Sequence, residues 1–211
     1  LLAIEVVTVS KAAEPASRAP AAIYVITRDE ILRSGARSIP EALRLAPGVN
    51  VARISSREYA VSIRGFNSTS SDKLQVLIDG RSVYTPLFSG VFWDVVDTAL
   101  MDIDRIEVVR GPGATLWGAN AVNGVINIVT RAAQDTLGTA TTIELGTERN
   151  SATLRSGQSM DVGQNSAMRV YAKAVERGSG NQSDGRAAVD GQRMVLGGIR
   201  ADTELHGGDR W

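Results

Sequence analysis

The feature that most constrains this chain is a pair of β-branched runs separated by a turn rich in glycine, proline and asparagine. The runs are Ile106–Val109 and Val125–Val129, and glycines stand between them at positions 111, 113, 118 and 124. Glycine permits close backbone approach and positive φ angles that other residues adopt only with strain. The two runs are therefore predicted to return into one small sheet.

Two kinds of structure use such a strand–glycine–strand arrangement: a phosphate-binding loop, or a compact plug inside a membrane barrel. A dinucleotide fingerprint needs a third glycine where Leu116 stands. A P-loop needs a Gly-Lys-Ser/Thr sequence, which does not follow the glycines here. Nucleotide binding is therefore disfavoured.

The composition excludes several functions. The 23 basic and 23 acidic residues give a net charge of zero, which disfavours a nucleic-acid partner. The chain has no cysteine, so disulfides, thiolate metal sites and thiol catalysis are excluded. The one histidine, His206, stands beside two glycines and is interpreted as a turn residue. We predict no catalytic residue, no metal site and no cofactor, and we do not expect an enzyme.

The chain changes character near residue 132. Before that point, the capping-box spacing of Thr27 and Glu30, with Gly35 as a stop, predicts a short helix. Ser38 and Glu41 repeat the spacing and predict a second short helix. A further short helix is expected over 95–101, and a two-residue hairpin turn at Asp79-Gly80. The predicted strands of this small α+β unit are 23–26, 49–53, 60–63, 74–78, 81–84 and the two runs described above.

From residue 133 onward the pattern has period two. Strands are predicted over 139–147, 151–160, 166–175 and 192–204, with a polar loop over 176–191. Strands of about ten residues with one small apolar face and one charged face are typical of an outer-membrane barrel. An ordinary sheet with one wet face gives the same alternation, so both interpretations stay open. In the third segment, Met168, Val170, Ala172 and Ala174 alternate with Arg169, Tyr171 and Lys173.

Four pieces of the first part, in order and spacing, resemble the plug domain of TonB-dependent outer-membrane receptors. The resemblance covers roughly residues 4–131, and the strands that follow fit the start of the family's barrel. The pieces are Ile63-Arg64-Gly65, Val76-Leu77-Ile78-Asp79-Gly80, Ile103-Asp104-Arg105-Ile106-Glu107-Val108-Val109-Arg110-Gly111-Pro112 and Leu116-Trp117-Gly118-Ala119-Asn120-Ala121-Val122-Asn123-Gly124-Val125-Ile126-Asn127-Ile128.

The resemblance implies an α+β plug domain, a small mixed sheet with short helices, over residues 21–132. A segment and tether over 1–20 precede it, and the first four or so antiparallel strands of a transmembrane β-barrel follow over 133–211. A barrel needs at least about eight strands, so the chain is expected to be part of a larger receptor. Because four strands leave open edges, we expect 133–211 to be disordered, paired in a non-native way or paired across chains without the remaining strands.

The implied function is TonB-dependent uptake of a scarce, large nutrient across the outer membrane. A ferric siderophore is the first expectation, with haem, cobalamin or a glycan as other possibilities. The implied partners are TonB, the ligand and the outer-membrane lipid around the full receptor. A non-transport binding module is the alternative, and a signalling receptor with an extra domain before Leu1 is another.

The N-terminal residues form a β-prone run before a stretch rich in alanine, proline and serine at 10–20. This run resembles the TonB box, which adds as a strand to TonB. The alternative is a frayed N-terminal strand of the plug. The run consists of Ile4, Glu5, Val6, Val7, Thr8 and Val9.

Arg64 and Arg110 each end a β-branched run and precede a glycine. A guanidinium is costly to bury unless it meets a carboxylate. The resemblance implies that these two residues lock the plug to two glutamates on the inner wall of the barrel. The alternative is a partner within the plug, such as Glu107 or Asp79.

The loops at 66–73 and 85–93 are expected at one end of the sheet, opposite the Asp79-Gly80 turn. The resemblance implies that this end contacts the ligand, and aromatic rings with a few hydroxyls suit a bulky amphipathic chelate. The alternative is that the aromatic residues, Phe92 and Trp93 above all, pack in the core. The candidate ligand-facing residues are Phe66, Asn67, Ser70, Ser71, Asp72, Tyr84, Phe88, Phe92 and Trp93.

Overall fold

The computed structural model divides the chain into two compact units. The first comprises Leu1–Ile54 and Glu58–Thr130, and the second comprises Ser55–Arg57 and Arg131–Trp211. No helix in the described part of the chain is long and apolar enough to cross a membrane. The described residues are 5–8, 14–16, 21–65, 67–68, 73–111, 114–118, 120–161, 164–182 and 184–204.

Nine short strands and three short helices make up the described part of the first unit. The strands are β1 (Glu5–Val6), β2 (Glu14–Pro15), β3 (Ala22–Thr27), β4 (Val49–Arg53), β5 (Tyr59–Ile63), β6 (Leu74–Ile78), β7 (Arg81–Ser82), β8 (Ile103–Arg110) and β9 (Gly124–Thr130). The helices are α1 (Arg28–Ser34), α2 (Ile39–Leu43) and α3 (Ala114–Trp117).

A five-stranded mixed sheet in the order β3-β8-β9-β6-β7 forms the centre of this unit. β6 runs parallel to β9, and the other neighbours are antiparallel. The two runs on either side of the glycine-rich turn, β8 and β9, are adjacent strands, as predicted. Gly124 permits this pairing, because a Cβ there would lie 2.5 Å from the carbonyl oxygen of Val109. β4 and β5 form a separate hairpin, and β1 pairs with β2.

The side chains of the sheet alternate between two faces. Ile106 and Val108 of β8 lie in the main hydrophobic core, with Ile31 of α1 and Leu43 of α2. On the opposite face, Val109 lies in a smaller cluster that also contains Leu77, Ala121 and Val125, with Ile23 and Trp117 packed against it.

The predicted capping box at Thr27 and Glu30 is confirmed, and Gly35 ends α1 at a φ of 71°. The second predicted helix is confirmed as α2, but its capping box is wrong, because the side chain of Ser38 makes no cap hydrogen bond. The carboxylate of Glu41 instead accepts hydrogen bonds from the N–H of Arg37 and the hydroxyl of Tyr59.

The helix expected over 95–101 is also wrong, since only Leu100–Asp102 forms a single 3-10 turn. Asp97 gives the reason, because its carboxylate accepts the N–H of Thr98 at 2.9 Å. Such a local bond satisfies the backbone without a helix. The short helix α3, inside the glycine-rich turn, was not predicted.

The second unit is a four-stranded antiparallel sheet in sequence order. Its strands are β10 (Gly138–Glu144), β11 (Arg149–Met160), β12 (Gln164–Arg177) and β13 (Gln192–Glu204). The expectation of disorder or non-native pairing is wrong for this described part. Each strand pairs with its neighbour in sequence, so the register is set among these four strands and does not depend on a further strand.

The exposure of this sheet is the reverse of that in a water-soluble sheet. Lys173 is 3% exposed, whereas Val195 is 80% exposed. An ordinary amphipathic sheet exposes its charged face, so the observed pattern favours a membrane wall with an apolar outer face. The buried charged residues of these strands are Arg149, Arg155, Arg169, Lys173 and Arg177, and the exposed apolar ones include Ile143, Leu154, Val170, Val195 and Ile199.

Candidate functional site

The N-terminal segment is docked on the first unit by polar contacts. Val6 of β1 is fully buried and pairs with Glu14 of β2. The N–H groups of Val7 and Thr8 both donate to Oε2 of Glu107, at 3.0 and 2.9 Å. The Thr8 hydroxyl donates to the same oxygen at 2.5 Å. Trp117 Nε1 donates to the Thr8 carbonyl at 2.7 Å.

Glu107, the acceptor of these bonds, lies in the middle of β8 and is 0% exposed. Its other oxygen, Oε1, accepts from Nε of Arg105 at 2.8 Å, and Nη1 of Arg105 also bonds Asp104 at 2.6 Å. A buried carboxylate needs such donors, since an unpaired one would be strongly disfavoured. Within the described residues, Glu107 therefore pairs with Arg105 and with the N-terminal segment, and not with Arg64 or Arg110. Ile4 and Val9 of the predicted segment lie outside the described residues.

The two predicted latch residues occupy different surroundings. Arg110 ends β8, and its Nη1 donates to the carbonyl of Pro47 at 3.4 Å. Its Nε is buried without a hydrogen-bond partner among the described residues. Arg64 follows β5 directly, is exposed and has a φ of 58°. Asp79, the other suggested partner, accepts the N–H and the hydroxyl of Thr130, each at 2.7 Å.

The loop at 85–93 presents an exposed apolar surface. Antiparallel pairing of β6 and β7 brings the start of β6 and the end of β7 to the same end of the sheet, as predicted. The loop is closed by a hydrogen bond from the Thr85 N–H to the Gly90 carbonyl at 2.9 Å. The Phe88 and Phe92 rings meet edge to face with centroids 4.4 Å apart, and both are exposed.

Among the remaining residues predicted to face the ligand, Trp93 was predicted wrongly. It is 6% exposed and lies in the main core, as does Val91 of the same loop, so its large ring is removed from water. Tyr84 is half-buried, and Asn67 is exposed and donates to Asn50 Oδ1 at 3.3 Å. Leu87, which the sequence reasoning did not select, is 87% exposed beside the aromatic pair. Phe66, Ser70, Ser71 and Asp72 lie outside the described residues.

Comparison with known families decides what these features belong to. The profile of the family described as TonB-dependent Receptor Plug Domain matches residues 15–125, more than half of the chain. The chain belongs to this family. Members of the family are outer-membrane proteins, and the outer membrane is therefore the location of this plug and of the wall strands that follow it.

Curated relatives of the plug include two vitamin B12 transporters named BtuB. The protein from Vibrio cholerae is 38% identical over 143 residues, which is 67% of this chain and 23% of the relative. The protein from Photobacterium profundum is 36% identical over 128 residues, or 60% of this chain and 20% of the relative. The chain thus spans about a quarter of the length of the curated relatives it matches.

Solved structures share the fold. The Pseudomonas aeruginosa receptor FpvA bound to a pyoverdine–iron complex has a TM-score of 0.69 at 18% identity, covering 96% of this chain and 26% of FpvA. The ferric-catecholate import receptor Fiu from Escherichia coli K12 has a TM-score of 0.65 at 19% identity, covering 93% and 26%. These similarities support an α+β plug followed by the first antiparallel strands of a barrel.

Sequence reasoning missed one further contact, which lies within the second unit. The N–H of Ser56, in the connection from β4 to β5, donates to Asp190 Oδ2 at 2.7 Å, and the Gly180 N–H donates to Oδ1 at 2.8 Å. The Ser56 hydroxyl also donates to the Asp190 carbonyl oxygen. The backbone N–H of Ser56, followed by that of Gly180, lowers the pKa of the Asp190 carboxyl from its ordinary value. The sequence offers no signal for this pair, because the two residues are far apart in the chain.

We predict that Asp190→Asn raises hydrogen exchange at the Ser56 and Gly180 amides by about fivefold, because an amide offers one oxygen where the carboxylate offers two. Asp184→Asn, in the same loop, is the matched control and should leave both amides unchanged. Because the folded pKa is lowered, the contact should persist above the ordinary pKa and weaken as pH falls through the lowered value. Equal exchange in both variants would contradict the assignment.

Proposed function

We propose that this chain forms the plug and the first wall strands of an outer-membrane receptor that imports a bulky metal chelate with energy delivered by TonB. The observation that carries the proposal is the β-prone N-terminal segment held on the plug sheet by Glu107 and Trp117. Such a segment suits strand addition to a periplasmic partner once it leaves the sheet. The mechanism requires ligand binding, exposure of the segment and remodelling of the plug, without covalent chemistry.

The relatives and the exposed apolar loop support the substrate class. The curated relatives are named as vitamin B12 transporters, and the structures of similar fold include pyoverdine and ferric-catecholate receptors. Cobalamin and ferric siderophores are both bulky metal chelates with apolar and polar faces. The edge-to-face pair Phe88–Phe92, with Leu87 beside it, offers a contiguous apolar surface for such a ligand.

The double variant Phe88→Ala/Phe92→Ala is expected to weaken chelate binding by the complete receptor about tenfold or more, since two aromatic contacts are removed. Titration with cobalamin and with ferric enterobactin measures the effect and identifies which chelate binds. Leu32→Ala removes an exposed apolar side chain from α1 and should leave binding unchanged. Binding that is equally strong in the double variant would exclude this loop as a ligand surface.

Val7→Pro is expected to abolish energised uptake of the bound chelate while leaving chelate binding intact. Proline removes the backbone N–H that a strand pairing with TonB requires. Val7→Ala keeps that N–H and should retain uptake, which makes it the matched control. Whole-cell uptake of the labelled chelate and binding to isolated outer membranes give the two readings. Full uptake by the proline variant would exclude the segment as the TonB box.

We further propose that Arg64 and Arg110 latch the plug to carboxylates on the inner wall of the complete barrel. Nε of Arg110 is buried and has no hydrogen-bond partner among the described residues. This observation supports an acceptor that lies outside them, on the barrel wall. Arginine suits this role because its planar fork pairs bidentately with a carboxylate. Release of these pairs would loosen the plug without unfolding the receptor.

Replacing both residues by alanine in the complete receptor should change the rate of uptake while the receptor still folds and inserts. Arg44→Ala/Arg81→Ala removes two exposed arginines of the plug and serves as the control. Circular dichroism and heat-modifiable mobility report folding, and labelled chelate reports uptake. Uptake that matches the control would count against the latch.

A further inference from the structure

The docked N-terminal segment does not have the conformation of a strand at its last two described residues. The N–H groups of Val7 and Thr8 converge on one oxygen of Glu107. In a β-strand, successive N–H groups point towards opposite edges, so both cannot reach one acceptor. Convergent N–H groups form instead the kind of concave cradle that binds an anion. The segment must therefore leave Glu107 before these residues can extend and pair.

The carbonyl of Thr8 is held as well. It accepts the indole N–H of Trp117 at 2.7 Å, so both backbone groups of Thr8 are engaged. Trp117 ends α3, the short helix within the glycine-rich turn between β8 and β9. Strand addition depends on free backbone groups along one edge. The two contacts together thus block the pairing edge at Thr8.

The anchor is built to be reversible. Glu107 keeps one oxygen on Arg105, whose side chain is partly exposed, whether or not the segment is docked. A carboxylate left unpaired in an apolar site would oppose release, but this one retains a charged partner and can regain water. Docking in turn removes Glu107 from water, and that desolvation offsets part of the gain from its hydrogen bonds to the segment. Because these two effects limit the net stability of docking, the segment can be held and then released.

We infer that Glu107 is an anion anchor that keeps the TonB box in a docked form unable to pair as a strand, with Trp117 as the second contact. The identity of the partner rests on the function proposed above. The anchor itself concerns only the state of the segment, which can be measured without any partner. Glu107 acts here as a positioning residue.

The absence of cysteine in the 211 residues allows a direct test in the complete receptor, with any cysteine outside this chain replaced. Val6→Cys places one thiol at a fully buried position of the segment. In isolated outer membranes without ligand, its rate of reaction with a maleimide reports undocking. Glu107→Gln keeps the shape but removes the charge, and we expect it to raise the rate about tenfold or more. Trp117→Phe removes only the indole donor and should raise it less.

Two matched variants control for general loosening of the plug. Glu41→Gln alters another carboxylate that accepts a backbone N–H, and Trp93→Phe alters a buried tryptophan of the main core. Neither should change the rate. Hydrogen exchange at the Val7 and Thr8 amides, in receptors without the added cysteine, repeats the measurement should Val6→Cys disturb docking.

The outcomes separate the anchor from the proposed partner. Rates for Glu107→Gln and Trp117→Phe equal to those of their controls overturn the anchor, whatever TonB does. A raised rate together with stronger binding of the purified periplasmic domain of TonB supports both proposals. A raised rate without any binding of that domain supports the anchor and overturns the assignment of the segment as the TonB box.

Discussion

A buried carboxylate in a central strand organises the first unit. β8 lies between β3 and β9, and Glu107 stands opposite Val25 on one neighbour and Asn127 on the other. Ile106 and Val108 point into the main core, which fixes the strand and forces Glu107 onto the opposite face. An ion on that face cannot stay unpaired. Arg105 and the N-terminal segment satisfy it, so the packing of one face dictates the docking on the other.

The glycine-rich turn supplies the second half of this arrangement. It reverses the chain between β8 and β9 and carries α3, so that Trp117 reaches the carbonyl of a residue 109 positions earlier. The same turn begins directly after Arg110. A single strand and its closing turn therefore hold the anchor, the second docking contact and one proposed latch residue. The glycine-rich turn is needed here because it brings these three features together on one strand and its connection.

Local chemistry made most of the plug predictable from sequence. The capping box at Thr27 and the hairpin turn at Asp79-Gly80 depend on neighbouring residues, and both were found as expected. The alternation in β12 also specified its faces, although exposure was needed to decide which one is buried.

The features that could not be predicted from the sequence depend on contacts between residues that are far apart in the chain. Trp93 and Phe92 are adjacent aromatic residues, yet only the packing of the loop decides that Trp93 enters the core and Phe92 does not. From the sequence, Glu107 was considered only as a possible partner of Arg64 or Arg110. No local pattern could name Thr8 as that partner, since the two residues are 99 positions apart.

Coupling between ligand binding and TonB engagement requires an element with two states that both events can bias. In the receptor proposed above, the N-terminal segment is our candidate for this element, because its docked form has backbone groups on Glu107 and Trp117 that an extended strand would present to a partner. Any ligand-induced shift of β8 or of its closing turn would alter these polar contacts before it disturbed the apolar core. Hydrogen bonds depend steeply on distance and angle, whereas the burial of Ile106 and Val108 tolerates small displacements. Polar docking on an apolar scaffold would thus let the segment of the proposed receptor respond while the plug remains folded.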